Sequence, residues 1–352
     1  MFRTITIEEL IPQTENGQMT LIDVRSPSEY REFTMPGSIN IPIFNDEERA
    51  EVGTLYTQES VEAAKERGLE IVSQKLPSFI RAMQNVQGEK TVFCWRGGMR
   101  SKTAATLADL AGLKVNRLEG GIRAYRKWTV SELEAAEVPE QAIILNGLTG
   151  SGKTKVLEKL TAEGYPVIDL EGMAGHKGSI FGHIADSPNN QKTFDALLVR
   201  RLRELKDEPY VLFEAENSRI GKVVVPPFLM ELKETSPHID IRMPVEKRIE
   251  IILEDYQPEK HQQECLEAFS RIRSRIHTPV AGEIGAQLEE GNFAPAVRLL
   301  LEHYYDARYA HKKEQLSGIR QVEVAASDLE EAAGHVKKAI EELKRETDCP
   351  IR

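Results

Sequence analysis

Cysteine is scarce in this chain: three in 352 residues, Cys94, Cys265 and Cys349, far apart. That excludes a disulfide framework and the CxxC spacing of a structural metal site. Long apolar runs are missing as well, so no stretch reads as a membrane-spanning helix. The opening MFRTITIEELIPQ lacks the basic-then-apolar layout of an export signal, and a cytoplasmic protein without membrane partners is expected. Positive charge is the minority, 46 Lys and Arg against 56 Asp and Glu. The net charge of −10 argues against a protein that coats nucleic acid indiscriminately. Internal repeats and low-complexity tracts are absent.

What remains is an ordinary globular composition, 40% hydrophobic and 29% charged, long enough for two or three domains with their own cores. The charge is uneven. From Cys94 to Trp128 stand Arg96, Arg100, Lys102, Lys114, Arg117, Arg123, Arg126 and Lys127, against only Asp109 and Glu119. A polyanionic substrate or a solvated basic face would each explain that run.

The first 130 residues alternate strands with helices. MTLIDVR, GSINIP, KTVFC and KVNRLEGG read as strands. SKTAATLADLAGL reads as a helix, as does VEAAKERGLEIVSQKLPSFIRAMQ with an interruption expected near Pro77. This rhythm predicts a parallel sheet covered by helices. The Glu-rich stretch 131–141 reads as a linker. Residues 142–238 form a second α/β domain with strands in QAIILNG, YPVIDLEG and PYVLFEAE. Strand signals fade after HIDIRMP, so 239–352 is expected to be mainly helical. Its last helix puts Leu329, Ala333, Val336, Ile340 and Leu343 on one face, with Ser327 and Glu330 as a capping box.

Two glycine-rich loops carry the chemistry. In FCWRGGMRS a strand ends in Cys94, turns through Gly97 and Gly98, and enters a helix. Turn amides and the helix N-terminus would converge on the sulfur and favour a thiolate or a bound anion. Arg96 and Arg100 add charge of the same sense. The plainer alternative is a buried cysteine that closes an apolar strand. Cys265 and Cys349 read as a helix residue and a tail residue.

GLTGSGKT fits G-x-x-x-x-G-K-[ST] through Gly147, Gly152, Lys153 and Thr154, with Gly150 and Ser151 between them, and lies between a strand and a helix. Loop amides would hold phosphate oxygens, Lys153 would neutralise their charge, and Thr154 is the candidate Mg²⁺ ligand. Glu214 and Glu216 are candidate metal-side carboxylates, with pairing to Arg219 the alternative. His176 and Lys177 in GHKGSIFG are candidate phosphate or RNA contacts on what could equally be a surface loop, and Arg219 is a further candidate phosphate contact.

LIDVRSPSEYREFTMPGSINIP, FCWRGGMRS and LEGGIRAYRKW resemble rhodanese-type sulfurtransferase domains, with Asp23, Arg25, Ser26, Pro27, Glu29 and Tyr30 at matching positions. Cys94 and Arg100 lie six apart rather than five, a spacing shared with cysteine phosphatases of related fold. Phe93 stands where those phosphatases usually carry His, which weakens that alternative. The whole order, with GLTGSGKT, DLEGMAGHKGSIFG, FEAENSRIG and YYDARY, resembles tRNA 2-selenouridine synthases. That resemblance implies a rhodanese-like α/β domain, a P-loop NTPase-like α/β domain and a helical C-terminal region. It implies replacement of sulfur by selenium in wobble 2-thiouridine of tRNA, with selenophosphate as donor and an S-geranyl intermediate made from geranyl diphosphate. A selenophosphate-producing enzyme becomes a candidate partner. Cys94 would carry selenium as Cys–S–Se⁻, Arg96 and Arg100 would hold the donor anion, and the P-loop would hold the diphosphate. Arg117, Arg123, Arg126 and Lys127, with Arg271, Arg273 and Arg275, are candidate tRNA contacts, or plain surface charge. One rival uses the same residues, an ATP-dependent sulfurtransferase; a second is a nucleotide-regulated docking protein in which Cys94 is dispensable, and the sequence leaves open whether ATP or GTP would occupy the P-loop.

Overall fold

The computed structural model describes residues 2–136, 139, 141–182, 184, 187–308 and 318–347. Cys349 and Tyr309 of YYDARY lie outside them. The chain divides into two compact units, residues 1–136 with 195–199, and residues 137–194 with 200–352.

The first unit holds strands β1 (Arg3–Ile5), β2 (Met19–Asp23), β3 (Ile39–Asn40), β4 (Glu89–Phe93) and β5 (Asn116–Leu118). They form one sheet in the order β1-β5-β4-β2-β3, parallel at every pair. Neighbouring residues of β4 point to opposite faces, as the pleat requires. Val92 packs with Ile22, Ile71, Val72, Met83 and Ala104, whereas Phe93 packs with Ile5, Leu10, Leu118 and Tyr125. Both faces are therefore buried, which is why these strands read as nearly continuous apolar runs. The expected break at Pro77 does not occur: helix Val61–Asn85 runs through it. Ile71 and Val72 before the proline and Phe79 and Met83 after it are all buried in one cluster. Packing on both sides outweighs the missing backbone bond.

The second unit continues with β6 (Ala142–Gly147), β7 (Val211–Glu214), the short antiparallel pair β8 (Arg219–Ile220) and β9 (Val223–Val224), then β10 (His238–Arg242) and β11 (Gln321–Ala325). Its main sheet is parallel with order β11-β10-β6-β7. A strand thus occurs well beyond position 239: β11, short and mostly exposed, pairs residue for residue with β10. In YPVIDLEG only Val167 bridges to Leu212. Asp169 instead caps a helical turn, Leu170–Ala174, by accepting the Gly172 N–H at 2.8 Å.

The last helix, Leu329–Thr347, buries Ala333, Val336, Ile340 and Leu343 against this sheet, with Leu329 packed at the edge. Its cap lies one residue later than expected. Asp328 Oδ1 accepts the Glu331 N–H at 2.8 Å and Glu331 reaches back to Ser327, while Glu330 pairs with Lys159. Helices between residues 262 and 304 form a separate apolar cluster around Phe269, Ile284, Leu288, Phe293 and Leu300. Among the described residues no helix is long and apolar enough to cross a membrane.

Candidate active site

Cys94 follows β4 directly and faces the start of helix Met99–Leu110, whose N-cap is Gly98. Its Sγ–H donates to Ser101 Oγ at 3.2 Å, on the first turn of that helix. The sequence thus placed the thiol correctly at a helix N-terminus. The residue is only 2% exposed, packed with Val92, Ala104 and Ala105, while Trp95, Arg96, Gly98 and Met99 of the covering loop are exposed. The LEGG turn locks the loop from below. Ile122 N–H donates to Cys94 O at 2.9 Å and Arg123 N–H to Trp95 O at 3.2 Å. Gly121 (φ +59°) permits this approach, since a Cβ there would lie 2.2 Å from Cys94 O.

The two arginines of this loop have different surroundings. Arg96 is exposed, but Arg100 turns back to Glu29, with Nη2 donating to Oε1 at 3.1 Å. Burial opposes ionisation of Glu29. The hydrogen bond and charge of Arg100, with the Ser26 N–H and Arg49, outweigh it and hold the carboxyl below its ordinary range. An anion at Cys94 would have to compete with Glu29 for Arg100. Asp23 and Arg25 form a fully buried pair at 2.6 Å, and the Arg25 guanidinium lies 6.0 Å from the Trp95 ring centroid. Of the candidate tRNA contacts here, Arg117 donates to Gly97 O at 3.1 Å and Arg126 pairs with Asp195 at 2.7 Å, so both have structural partners. Arg123 and Lys127 are exposed.

In the second unit the P-loop joins β6 to helix Lys153–Ala162, with Gly152 in the left-handed region at its N-cap. A Cβ on Gly152 would strike Leu329 at 2.3 Å. Lys153 Nζ donates to Gly147 O at 3.1 Å, and Ser151 Oγ is buried without a partner. Thr154 Oγ1 donates to Glu171 Oε2 at 2.9 Å, and the Glu171 N–H donates to Glu214 Oε1 at 2.8 Å. Burial first, then the Glu216 charge, push Glu171 up to about 8 against the pull of Lys153 and Thr154. Burial and Glu171 raise Glu214 well above its ordinary value, and its Oε2 has no partner.

These groups border a cavity of about 500 Å³ lined by Gly150, Gly152, Lys153, Thr154, Glu171 and Glu216, among others. Lys177 also lines it, 2.9 Å from the Asp255 carbonyl and over the Tyr256 ring. His176 instead packs against Gly182 and Gly221, and Arg219 sits exposed on β8; neither lines the cavity. Arg271, Arg273 and Arg275 are exposed around a short helical turn, as the surface alternative also expects. Sequence inspection missed Glu171, Arg248, Asp255 and Asp306, whose roles depend on contacts across many residues. A second, apolar pocket of about 50 Å³ adjoins the cavity and shares Thr149, Ser179, Ile252, Tyr256 and Tyr305 with it. Phe181, Pro258, Leu288, Phe293, Val297 and Leu300 are among its other walls. Buried Cys265 also borders it, its thiol pushed up to about 11 by burial and then by Glu264 and Glu259.

Two family models match this chain: a rhodanese-like domain over residues 6–127 and a tRNA 2-selenouridine synthase AAA domain over 140–278. The tRNA 2-selenouridine synthase of Bdellovibrio bacteriovorus is 33% identical over 321 residues, covering 89% of this chain and 80% of that protein. The chain belongs to the tRNA 2-selenouridine synthase family. Similar enzymes from a Sulfurovum species (32% identical, 83% of this chain, 81% of that protein) and Cupriavidus necator (33%, 84% and 89%) extend the match. Membership in the tRNA 2-selenouridine synthase family accounts for both loops on one chain: the cysteine loop belongs to the rhodanese-like match and the phosphate loop to the other.

Proposed function

We propose that this enzyme exchanges sulfur for selenium in wobble 2-thiouridine of tRNA in two stages, geranylation at the P-loop and selenium transfer at Cys94. The observation that carries the first stage is the apolar pocket beside the P-loop cavity. A prenyl diphosphate needs a phosphate cradle continuous with an apolar slot, whereas a nucleoside triphosphate needs polar partners for base and ribose. The slot is small, about 50 Å³, so side chains at its mouth such as Tyr305 would shift to seat a ten-carbon chain.

Lys153 and the loop amides hold the diphosphate oxygens. The thiocarbonyl sulfur of the base attacks C1 of the chain, the C1–O electron pair leaves with diphosphate, and the base loses its N3 proton. Mg²⁺ would fit beside Thr154 and Glu171. The donors are hard oxygens, and the buried Glu214 carboxyl holds the Glu171 backbone in place. No three His, Cys, Asp or Glu side chains converge as a metal cluster among the described residues, so the ion would lean on substrate oxygens and water. When bound, it supplies charge neutralisation for the departing diphosphate.

In the second stage the alkylated sulfur is a competent leaving group. The Cys94 thiolate attacks C2 and expels geranylthiolate. Selenium of selenophosphate then displaces Cys94 from C2, and hydrolysis of the P–Se bond releases phosphate. No redox partner is required. A Cys–S–Se⁻ carrier, by contrast, would need a two-electron oxidant, since both sulfur and selenium start fully reduced. Because Cys94 is 2% exposed, its surroundings must open to admit the base.

Nucleoside mass spectrometry of tRNA incubated with the full chain, geranyl diphosphate and selenophosphate tests both stages. Cys94→Ala should accumulate S-geranyl-2-thiouridine and form no 2-selenouridine. Lys153→Ala should form neither from 2-thiouridine yet convert pre-geranylated tRNA. Normal selenation by Cys94→Ala would sink the role of the thiol. Sulfur transfer coupled to ATP turnover would favour the sulfurtransferase rival.

A further inference from the structure

The helix Phe293–Leu300 runs into a π-helical turn, Leu301–Tyr305, that inserts one extra residue per turn and re-aims the side chains beyond it. Tyr304, Tyr305 and Arg308 all line the P-loop cavity. The turn is tied to the P-loop itself. Arg248, 2% exposed, holds Asp306 through two parallel hydrogen bonds of 2.8 and 2.7 Å and donates Nε to Thr149 O at 2.8 Å. Asp306 is thereby fixed against the loop, with Arg308 two residues further on.

Among the described residues four cations line the cavity, and their commitments differ. Lys155 is paired with Glu254 at 2.6 Å and Asp255 at 3.1 Å. Lys177 is held by the Asp255 carbonyl and the Tyr256 ring. Lys153 belongs to the loop. Arg308 is exposed and has no carboxylate partner among the described residues. Its Nη1 donates to Tyr304 Oη at 3.1 Å, and its guanidinium lies 5.1 Å from that ring's centroid. A guanidinium carries five donors in a planar fork that matches phosphate oxygens. One of them rests on a neutral phenol.

We propose that Arg308 is a catalytic residue of the P-loop site: it leaves Tyr304 to grip the diphosphate of the prenyl substrate, and neutralises the charge that gathers there as the C1–O bond breaks. The C1–O electron pair stays on the diphosphate oxygen, the new bond forms from C1 to the base sulfur, and the N3 proton leaves the base. This inference rests on the prenyl-diphosphate reading of the cavity.

Calorimetric titration of the full chain with inorganic pyrophosphate and Mg²⁺, then with geranyl diphosphate, tests it. Arg308→Gln should weaken pyrophosphate binding about tenfold to a hundredfold, the range of a lost charge-assisted hydrogen-bond pair. It should lower kcat/KM for geranylation at least as much and leave selenation of pre-geranylated tRNA unchanged. Arg308→Lys should recover part of the binding through charge without the fork. Thermal melting should match the parent protein, since the side chain is exposed. Arg308→Gln binding within twofold of the parent, with Lys153→Ala clearly weaker, overturns the assignment of Arg308 alone. A parent protein that binds neither pyrophosphate nor geranyl diphosphate overturns the reading of the cavity, and Arg308 with it.

Discussion

Thr154 Oγ1 lies 2.9 Å from Glu171 Oε2, so the phosphate loop's hydroxyl is engaged with a carboxylate brought in from DLEG. That carboxylate is buried beside Glu216, and its value rises from an ordinary 4.5 to about 8.

Ligand-free stability therefore depends on pH in a defined sense. Between about pH 4.5 and 8 the folded chain keeps a proton on Glu171 that the unfolded chain releases. Its contribution to stability declines as pH rises through that window. Glu171→Gln should melt higher than the parent at pH 8, by on the order of 1–3 kcal/mol, with the gap closing toward pH 5. Melting curves across this range would show a constant gap if the carboxyl ionises normally.

Glu29 works in the opposite direction. Held down by Arg100, it stabilises the fold above its unfolded value and loses that contribution as pH falls through the folded one. Glu29→Gln should cost about 1 kcal/mol at pH 7 and progressively less as acid protonates the folded carboxyl. It should also free Arg100, raising the affinity of the cysteine loop for phosphate-type anions. Unchanged anion binding in that variant would mean that Arg100 does not reach the site.

Gly121→Ala should be among the most damaging single substitutions outside the active groups. The added carbon would meet Cys94 O at 2.2 Å and Gly97 N at 2.6 Å, all backbone, with φ already in the left-handed region. A loss of roughly 2–4 kcal/mol is expected, with selenium transfer lost before geranylation. Urea unfolding alongside separate assays of the two stages would check it.

Val297 borders the apolar pocket, and Val297→Phe would fill it. Each methylene that no longer fits is worth about 1–3 kcal/mol, so preference should shift from geranyl toward dimethylallyl diphosphate by tenfold or more. Competition between the two diphosphates, read by mass spectrometry of the tRNA product, measures the shift. An unaltered ratio would place the chain elsewhere.

Local chemistry made both loops readable. Gly97–Gly98 beside Cys94 and Gly147 to Thr154 announce backbone amides gathered around an anion, and the structure puts each between a strand and a helix. Pro77 and β11 escaped, because a proline braced on both sides stays helical and a short, mostly exposed strand is defined by its partner β10. The cap of the last helix missed by one residue for the same reason: Ser327, Asp328, Glu330 and Glu331 offer two registers, and packing selects one.

The sequence by itself determined the order of the two α/β units, the sulfur at a helix start and the phosphate loop, since each is written in contiguous residues whose backbone needs are local. Only the tertiary structure decided that Arg100 answers to Glu29, that Glu171 meets Thr154, and that an apolar slot and Arg308 border the phosphate cavity. Those relationships join residues tens to hundreds of positions apart, where distance and burial, rather than residue type, set the energy.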